Sequence, residues 1–240
     1  MKYLYSFLIL TGMWICLYFI VNSAIVPSPL VVFIRFFQIF YAKLLRHTLY
    51  SLFRVVTALV ISLIVGVAIG ILCGVSQKFD KMVSPLIYFL SPIPKAAFLP
   101  VLMVFFGLGE LSKILLIILV IVFQCMIATR DGIKNIPYEL RMYEKSLRLN
   151  KRERLVHFTI PAILPSIFTV LRMNAGIATA VLFFSENFAT KYGLGYFIMN
   201  NWVMGNYIEM YCGILAISVM GMGLYGIIQL LEMKFVKGNH

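Results

Sequence analysis

The chain has 240 residues, of which 62% are apolar and only 12% are charged, whereas a soluble domain is about 45–50% apolar and about 25% charged. This composition excludes a disordered chain, a secreted disulfide scaffold and a soluble nucleic-acid-binding domain. It is typical of a polytopic membrane protein. The formal net charge of +12 then indicates lysines and arginines gathered in cytoplasmic loops, so we expect a lipid membrane and no nucleic acid as a partner.

Six segments are long and apolar enough to approach the roughly 20 residues that a transmembrane helix needs. The first segment is predicted to be an uncleaved span because it has no clear small-x-small cleavage site; a cleaved signal peptide is the alternative. Together they predict an all-α polytopic membrane protein with about six transmembrane helices. The predicted spans are 4–21, 48–75, 83–106, 112–129, 164–184 and 207–233.

The distribution of positive charge predicts the orientation. If the amino terminus is cytoplasmic, more than twice as many lysines and arginines fall in cytoplasmic segments as in outer ones, and both termini are cytoplasmic. The basic stretch 35–46 falls on the outer side. It reads as an amphipathic helix lying on the outer surface. Its expected apolar side consists of Phe33, Phe36, Phe37, Phe40 and Leu44.

The third predicted span is interrupted by prolines, each of which removes a backbone donor and strains a helix. Carbonyls freed at membrane depth must face protein or water, so the interruption is either a structural kink or a broken helix that lines a pathway. The prolines are Pro85, Pro92, Pro94 and Pro100.

Glycines and cysteines in the apolar runs have mainly structural interpretations. Gly66, Gly70 and Gly74 are spaced by four, which favours close packing of a neighbouring helix. Gly107 and Gly109 indicate a turn and not a phosphate loop, because no strand precedes them and no Lys-Ser/Thr follows. The four cysteines are expected to be buried thiols, and no metal site is predicted. They are Cys16, Cys73, Cys125 and Cys212.

Ionisable residues inside a membrane are costly and suggest function by default. Glu186 is expected either to pair with a neighbour or to face a vestibule. Arg172 is close enough to the cytoplasmic end of its span to snorkel. Lys95, inside the broken span, has two interpretations. The first is an ion pair with Glu186 from another span or subunit, or snorkelling; the second is a pathway residue that attracts an anionic or carbonyl-rich substrate.

The only sizeable hydrophilic segment is 130–157. Pro137 is well placed to open a short helix, a second charged stretch covers 151–154, and Pro161 and Pro165 are expected to bound the return to the membrane. One interpretation is a solvated loop that sets topology. The other is a compact pair of cytosolic helices that docks a soluble partner.

Several short pieces, taken together, resemble the permease subunit of a bacterial ATP-binding cassette importer, in the branch that handles nitrate, sulfonates, taurine and bicarbonate. Each piece is weak alone, but their order and spacing are specific. The pieces include Val26-Pro27-Ser28-Pro29, Ser51-Leu52-Phe53-Arg54-Val55, Pro92-Ile93-Pro94, Phe106-Gly107-Leu108-Gly109-Glu110, Asp131-Gly132, Ile160-Pro161 and Gly193-Leu194-Gly195-Tyr196.

The family's cytoplasmic Glu-Ala-Ala loop is similar here only in part. Anchoring its closing proline on Pro161 places the Glu-Ala-Ala positions on Met142, Tyr143 and Glu144 and the glycine position on Arg148. All of these depart from the motif. The tight turn then needs an ordinary backbone at Arg148 or a left-handed residue such as Asn150, and the face offered to the ATPase is altered.

The resemblance implies a single permease domain over 1–240 in a bacterial plasma membrane. It would comprise a first span with the outer helix (1–47), a core (48–233) with a coupling-helix loop (130–160), and a cytoplasmic tail (234–240). The implied partners are a second permease copy, two ATPase subunits that hold ATP and Mg²⁺, and an external binding protein that delivers a small anion or organic solute. The chain itself would carry no catalytic group and no cofactor.

The resemblance and the polar residues of the spans give two sets of candidate site residues. The predicted ATPase-coupling residues are Tyr143, Glu144, Ser146, Leu147, Arg148 and Asn150. The pathway candidates are Lys95, Gln124, Asn174, Thr179 and Glu186. An intramembrane enzyme is a poor alternative because the histidines lie at span edges; a channel or scaffold that works without an ATPase is the competing hypothesis.

Overall fold

The computed structural model describes residues 2–147 and 149–236, and the described residues form helices and turns without a strand. This confirms the all-α prediction. The α-helices are α1 (Lys2–Val21), α2 (Pro29–Ile39), α3 (Leu45–Val75), α4 (Gln77–Leu90), α5 (Leu99–Phe106), α6 (Glu110–Lys134), α7 (Tyr138–Ser146), α8 (Lys151–Glu153), α9 (Ile160–Glu186), α10 (Leu194–Val203) and α11 (Tyr207–Val236). Two π-helical segments (Phe40–Leu44 and Arg154–Thr159) and a 3₁₀ turn (Lys95–Phe98) lie between them.

Within the described residues, four helical stretches are long and apolar enough to cross a membrane. A bent pair of helices adds a fifth candidate, and the apolar stretch Leu8–Val21 of α1 is shorter. The multi-pass character is therefore confirmed, while the number six stays a prediction. The four stretches are Pro29–Val75, Glu110–Lys134, Lys151–Glu186 and Tyr207–Val236.

The helix that contains the second span is longer than the sequence suggested. α2, the π-helical segment and α3 continue one another over Pro29–Val75, about 70 Å at 1.5 Å per residue, which exceeds the roughly 30 Å hydrocarbon core. Ser28 caps its start by accepting a hydrogen bond from the amide of Val31. Within the expected apolar side of 35–46, Leu44 is buried while Phe37 is exposed. A position on the outer surface stays a prediction.

The charged loop 130–157 is mostly helical. The helix that leads from this loop back into the membrane starts earlier than predicted. α8, the π-helical segment and α9 form one stretch over Lys151–Glu186. Pro161 and Pro165 therefore lie inside this stretch and do not bound it. Pro161 is tolerated because it falls in the first turn of α9, where the change from π- to α-helical bonding leaves the backbone ladder irregular.

The chain forms two compact units. The first consists of Met1–Phe53 with Phe183–Met220, and the second of Arg54–Leu182 with Gly221–His240. In the first unit the indole of Trp14 stacks on Tyr211 with ring centroids 5.3 Å apart. Cys212 is buried in this unit, as predicted, whereas Cys16 is exposed because α1 turns most of its apolar side chains outward.

In the second unit, α3 packs closely on α6 through the glycines spaced by four. A Cβ built on Gly66 would lie 2.4 Å from the Cβ of Cys125, and one on Gly70 would lie 2.6 Å from the Cβ of Thr129. Such distances leave no room for a side chain, so the predicted glycine packing face is confirmed.

Candidate functional site

The third predicted span is broken, as its prolines suggested. α4 ends at Leu90, a 3₁₀ turn covers Lys95–Phe98, and α5 runs on at 85° to α4. Pro85 lies inside α4 without interrupting it, so the break falls at the segment that carries Pro92 and Pro94. Gly107 then ends α5 with a φ of 81°, a left-handed turn that confirms the expected turn at this glycine.

Lys95 sits at this break. Its Nζ donates a hydrogen bond of 2.6 Å to the carbonyl oxygen of Ser91 and lies 5.0 Å from the centroid of the Phe123 ring. The ammonium group thus satisfies a carbonyl that the broken helix leaves without a helical partner, and it rests on the face of an aromatic ring. The contacts described for Lys95 are to a backbone carbonyl and a ring, and an ion pair with Glu186 of another span or subunit stays a prediction.

The other pathway candidates differ in accessibility. Gln124 and Thr179 are half-buried, and Thr179 donates to the carbonyl of Ala175 in its own helix. Asn174 is fully buried, and its amide nitrogen lies 3.3 Å from the carbonyl oxygen of Ile121. Its side-chain oxygen is one of the few buried polar atoms without a hydrogen-bond partner among the described residues. Their role in a pathway stays a prediction.

Glu186 lies in the first unit and is fully buried. Its carboxylate accepts hydrogen bonds from the hydroxyl of Ser51 at 2.7 Å and from the backbone amide of Gly195 at 2.7 Å. A Cβ on Gly193 would lie 2.4 Å from its carboxyl carbon. Of the two predicted alternatives, the structure therefore shows pairing with neighbours; the side chain does not face a vestibule in this conformation.

The helix α7 of the cytoplasmic loop is tied to the end of α6. The guanidinium group of Arg141 donates to the carbonyl oxygens of Ile133, Lys134 and Ile136, at 2.9, 2.6 and 3.1 Å. These carbonyls belong to the last turn of α6 and the residues that follow it, where helical partners run out. A cation at a helix carboxyl end is also favoured by the helix dipole. These hydrogen bonds link α7 directly to the end of α6.

The same loop is closed by a second set of contacts. Glu144 on α7 is buried and forms an ion pair with Arg154. Asn150 caps α8 by accepting hydrogen bonds from the amides of Arg152 and Glu153, and Glu153 accepts in return from the amide of Asn150. Asn150 has an extended backbone with φ of −70°, so the prediction of a left-handed residue at this position is wrong. Asn150 instead opens the capping box of α8.

α7 and the residue that follows it carry apolar side chains that are exposed to solvent. Tyr143 is 62% exposed and Leu147 is 49% exposed, and both are predicted coupling residues. Ser146 and Asn150 are exposed as well. Glu144 points to Arg154 and is held inside the loop, and the predicted coupling residue Arg148 lies outside the described residues.

An ionic cluster that the sequence analysis did not single out joins α4 to α6. Asp80, just inside α4, forms ion pairs with Arg130 and Lys134, which are one turn apart on α6, and accepts a hydrogen bond from Ser84. The sequence signals are the spacing of Asp80 and Ser84 on one helix and of Arg130 and Lys134 on another. The two basic residues, however, are about 50 residues from Asp80 in the chain.

Two further ion pairs were also missed. Arg54 is only 1% exposed and pairs with Glu110, whose Oε1 accepts from Nη2 of Arg54 at 2.7 Å. Arg172, for which we expected snorkelling, forms an ion pair with Glu232 of α11. Both arginines thus have a carboxylate inside the second unit. Within the described residues, no group of three or more metal-ligating side chains is found.

Comparison with known proteins identifies the family. The family described as "Binding-protein-dependent transport system inner membrane component" matches residues 66–237. The aliphatic sulfonates transport permease protein SsuC of Bacillus subtilis (strain 168), itself described as putative, is 28% identical over 219 residues, which cover 91% of this chain and 79% of the relative. The taurine transport system permease protein TauC of Escherichia coli (strain K12) is 32% identical over 159 residues, or 66% of this chain and 58% of the relative.

The fold is also that of a known transporter. A chain of the MetNI methionine ABC transporter, in inward facing conformations, superimposes with a TM-score of 0.66 at 16% identity, covering 81% of this chain and 95% of that chain. The sulfonate and taurine relatives bear out the resemblance found in the sequence, and they are transport subunits, not enzymes. This chain belongs to the binding-protein-dependent inner membrane permeases and is a permease subunit of an ATP-binding cassette importer.

Proposed function

We propose that the chain works as a homodimer that forms the substrate pathway, with two ATPase subunits bound at the cytoplasmic side and an external binding protein on the other. ATP and Mg²⁺ are held by the ATPase partners, and this chain contributes no catalytic group. Both termini are cytoplasmic, in keeping with the bias of positive charge. The observation that carries the proposal is the exposed apolar face of α7 on a loop that Arg141 and the Glu144–Arg154 ion pair hold by internal contacts.

The α7 face is suited to a groove on the ATPase. Tyr143 on α7 and Leu147 just after it are exposed apolar side chains, and such side chains are the usual anchors of a helix laid into a groove. The contacts of Arg141 and of the Glu144–Arg154 pair hold the helix in one position before any partner arrives. Less conformational entropy is then lost on docking.

A contiguous route connects this face to the broken span. Arg141 joins α7 to the end of α6, and Arg130 and Lys134 of α6 hold Asp80 of α4. α4 leads directly to the break that carries Lys95. Closure of the ATPase dimer would therefore push on α7, move the end of α6, and tilt α4 against α5. That change of the 85° bend is the step by which access alternates.

The proposed cargo is a small anion or small organic solute. The relatives named for sulfonates and taurine favour an anionic group, and Lys95 would meet it at the break as a single hydrated point charge. Gln124, Asn174 and Thr179 would supply further polar contacts along the pathway between two copies. A transient attraction suits a pathway because a tight site would trap its cargo.

The experiment is a comparison of Leu147→Asp with Gln77→Asp, both of which place one carboxylate at an exposed position predicted to be cytoplasmic. The chain is expressed together with its genomic neighbours, and the membranes are assayed for insertion, for copurification of an ATPase and for ATP-dependent uptake. We expect Leu147→Asp to lose the ATPase and uptake while inserting normally, and Gln77→Asp to keep both. Normal copurification and uptake with Leu147→Asp would refute the coupling role of α7.

A further inference from the structure

The first compact unit contains a pocket of about 430 Å³ that none of the predicted pathway or coupling residues lines. It lies among the basic stretch Lys43–His47, the helix α10 and the turn that leads into α11. Under the proposed orientation this is the outer side of the membrane. The volume accommodates a small organic molecule and is too small for a peptide of several residues.

The charge of the pocket is positive because its one carboxylate is already compensated. Glu209 is buried, and it accepts hydrogen bonds from Nη2 of Arg35 at 2.6 Å and from Nζ of Lys43 at 2.9 Å. The two cations Arg35 and Lys43 thus already outweigh the single negative charge of Glu209. Arg46, on the same wall, adds a further positive charge.

Arg46 is presented to the pocket without a carboxylate partner among the described residues. Its guanidinium carbon lies 3.8 Å from the centroid of the Tyr192 ring, a cation–π contact with one aromatic wall of the pocket. A guanidinium group that makes such a contact keeps N–H donors for a ligand. A planar fork of donors matches the geometry of a two-oxygen anion.

The remaining walls include His47, which contacts its neighbours, and a second donor. Nδ1 of His47 lies 3.0 Å from the amide nitrogen and 2.9 Å from the carbonyl oxygen of Gly193, and its ring stacks on Tyr196 at an interplanar angle of 16°. The half-buried amide of Asn200 has only one contact among the described residues, a weak one of 3.7 Å to the sulfur of Met204. Its nitrogen remains able to donate to a ligand.

We propose that this pocket binds a small oxyanion, a sulfonate, carboxylate or phosphate group, with Arg46 and Asn200 as donors and the tyrosine rings as apolar walls. A cation is disfavoured by the net positive charge, and a purely apolar ligand would make no use of the Arg46 and Asn200 donors. The site is separate from Lys95 and requires neither an ATPase nor a second copy. A soluble anion and the phosphate of a lipid headgroup share this chemistry, so the experiment separates them.

Binding is measured with trifluoromethanesulfonate as probe, through the ¹⁹F line width, on the full chain in nanodiscs of phosphatidylcholine. We expect saturable broadening that inorganic sulfate reverses. Arg46→Gln should weaken the affinity about fivefold or more, as expected when charge-assisted hydrogen bonds are lost. Arg46→Lys should fall between, since it keeps the charge and loses the fork. Lys191→Gln removes the same charge from an exposed neighbouring position outside the pocket and should bind like the unsubstituted chain.

Nanodiscs that contain phosphatidylglycerol decide the source of the anion. If the affinity for the probe is unchanged there, the pocket takes a soluble anion; if it falls several-fold and Arg46→Gln abolishes the difference, the pocket takes an anionic headgroup. Both results support an oxyanion site. Absence of saturable broadening in both kinds of nanodisc, or equal affinity of Arg46→Gln and the unsubstituted chain, would overturn it. Because no ATPase is present, failure here is distinct from failure of the proposed transport function.

Discussion

Arg130 on α6 and Asp80 on α4 form a two-point ion pair, in which the guanidinium Nε donates to Oδ1 and Nη2 donates to Oδ2 at 3.2 Å. Both side chains are largely shielded from solvent. The pair joins the helix that receives the coupling loop to the helix that leads into the break. We regard it as the middle element of the proposed route from α7 to the pathway.

Neutralising this acid should uncouple the two helices. Asp80→Asn leaves Arg130 and Lys134 with a weak acceptor in a poorly solvated place, and breaking a shielded ionic contact of this kind costs about 1–3 kcal/mol. We expect a lower midpoint of thermal unfolding in nanodiscs and slower ATP-driven uptake, with the ATPase still bound. Asp131→Asn removes a more exposed partner of the same arginine and should have a smaller effect on both measurements. Equal effects of the two variants would contradict the special role of Asp80.

The glycine face of α3 gives a prediction about stability. Gly66→Ala places a methyl group 2.4 Å from the Cβ of Cys125, so α3 and α6 must move apart, and overpacking of this kind costs about 1–3 kcal/mol. Gly226→Ala is the matched control, because a Cβ there meets no atom within 4 Å and alanine is the better helix former. Thermal unfolding of the two variants in the same nanodiscs should show a loss for Gly66→Ala alone. A loss of equal size in both would mean that close packing is not the cause.

Local sequence patterns predict much of this fold. Hydropathy locates the helices, the prolines predict the break near Lys95, and the four-residue glycine spacing predicts the α3–α6 contact. The ionic contacts are different: Asp80–Arg130, Arg54–Glu110 and Arg172–Glu232 join residues from different helices. Nothing near either partner in the chain indicates the other. For the same reason the sequence identifies Glu186 as an acid inside an apolar span, but it does not indicate that Ser51 and Gly195 are its hydrogen-bond donors.

The capping of α8 shows a second limit. The family's glycine position predicts either an ordinary backbone at Arg148 or a left-handed residue such as Asn150. Asn150 is extended, and the sequence Asn150-Lys151-Arg152-Glu153 forms a capping box. The spacing of Asn150 and Glu153 is that of this motif, so the signal was present.

Lys95 gives a prediction about substrate affinity. Lys95→Met should leave folding and ATPase assembly intact and raise the substrate concentration needed for half-maximal uptake, because the point charge at the break is gone. Lys95→Arg should restore part of the loss. Uptake is measured with the purified complex in proteoliposomes. Normal uptake by Lys95→Met would make the lysine a structural cap for the Ser91 carbonyl.

Cross-linking tests the gating proposal. In a chain whose four native cysteines are replaced, Gln124→Cys and Thr179→Cys are half-buried positions that should cross-link between two copies to an extent that depends on nucleotide. Asn174→Cys, which is fully buried, should react poorly unless the pathway opens. Identical cross-linking with and without ATP, in a complex that transports, would be incompatible with alternating access at these residues.

Hydrogen–deuterium exchange of the permease, alone and bound to the ATPase that copurifies with it, tests the coupling role of α7 most directly. The account predicts that binding slows exchange in α7 and the adjoining turn up to Glu153, and that adding ATP changes exchange next around Asp80 and the break at Lys95. Protection confined to other cytoplasmic segments, with α7 exchanging at the same rate in the free and bound permease, would contradict it.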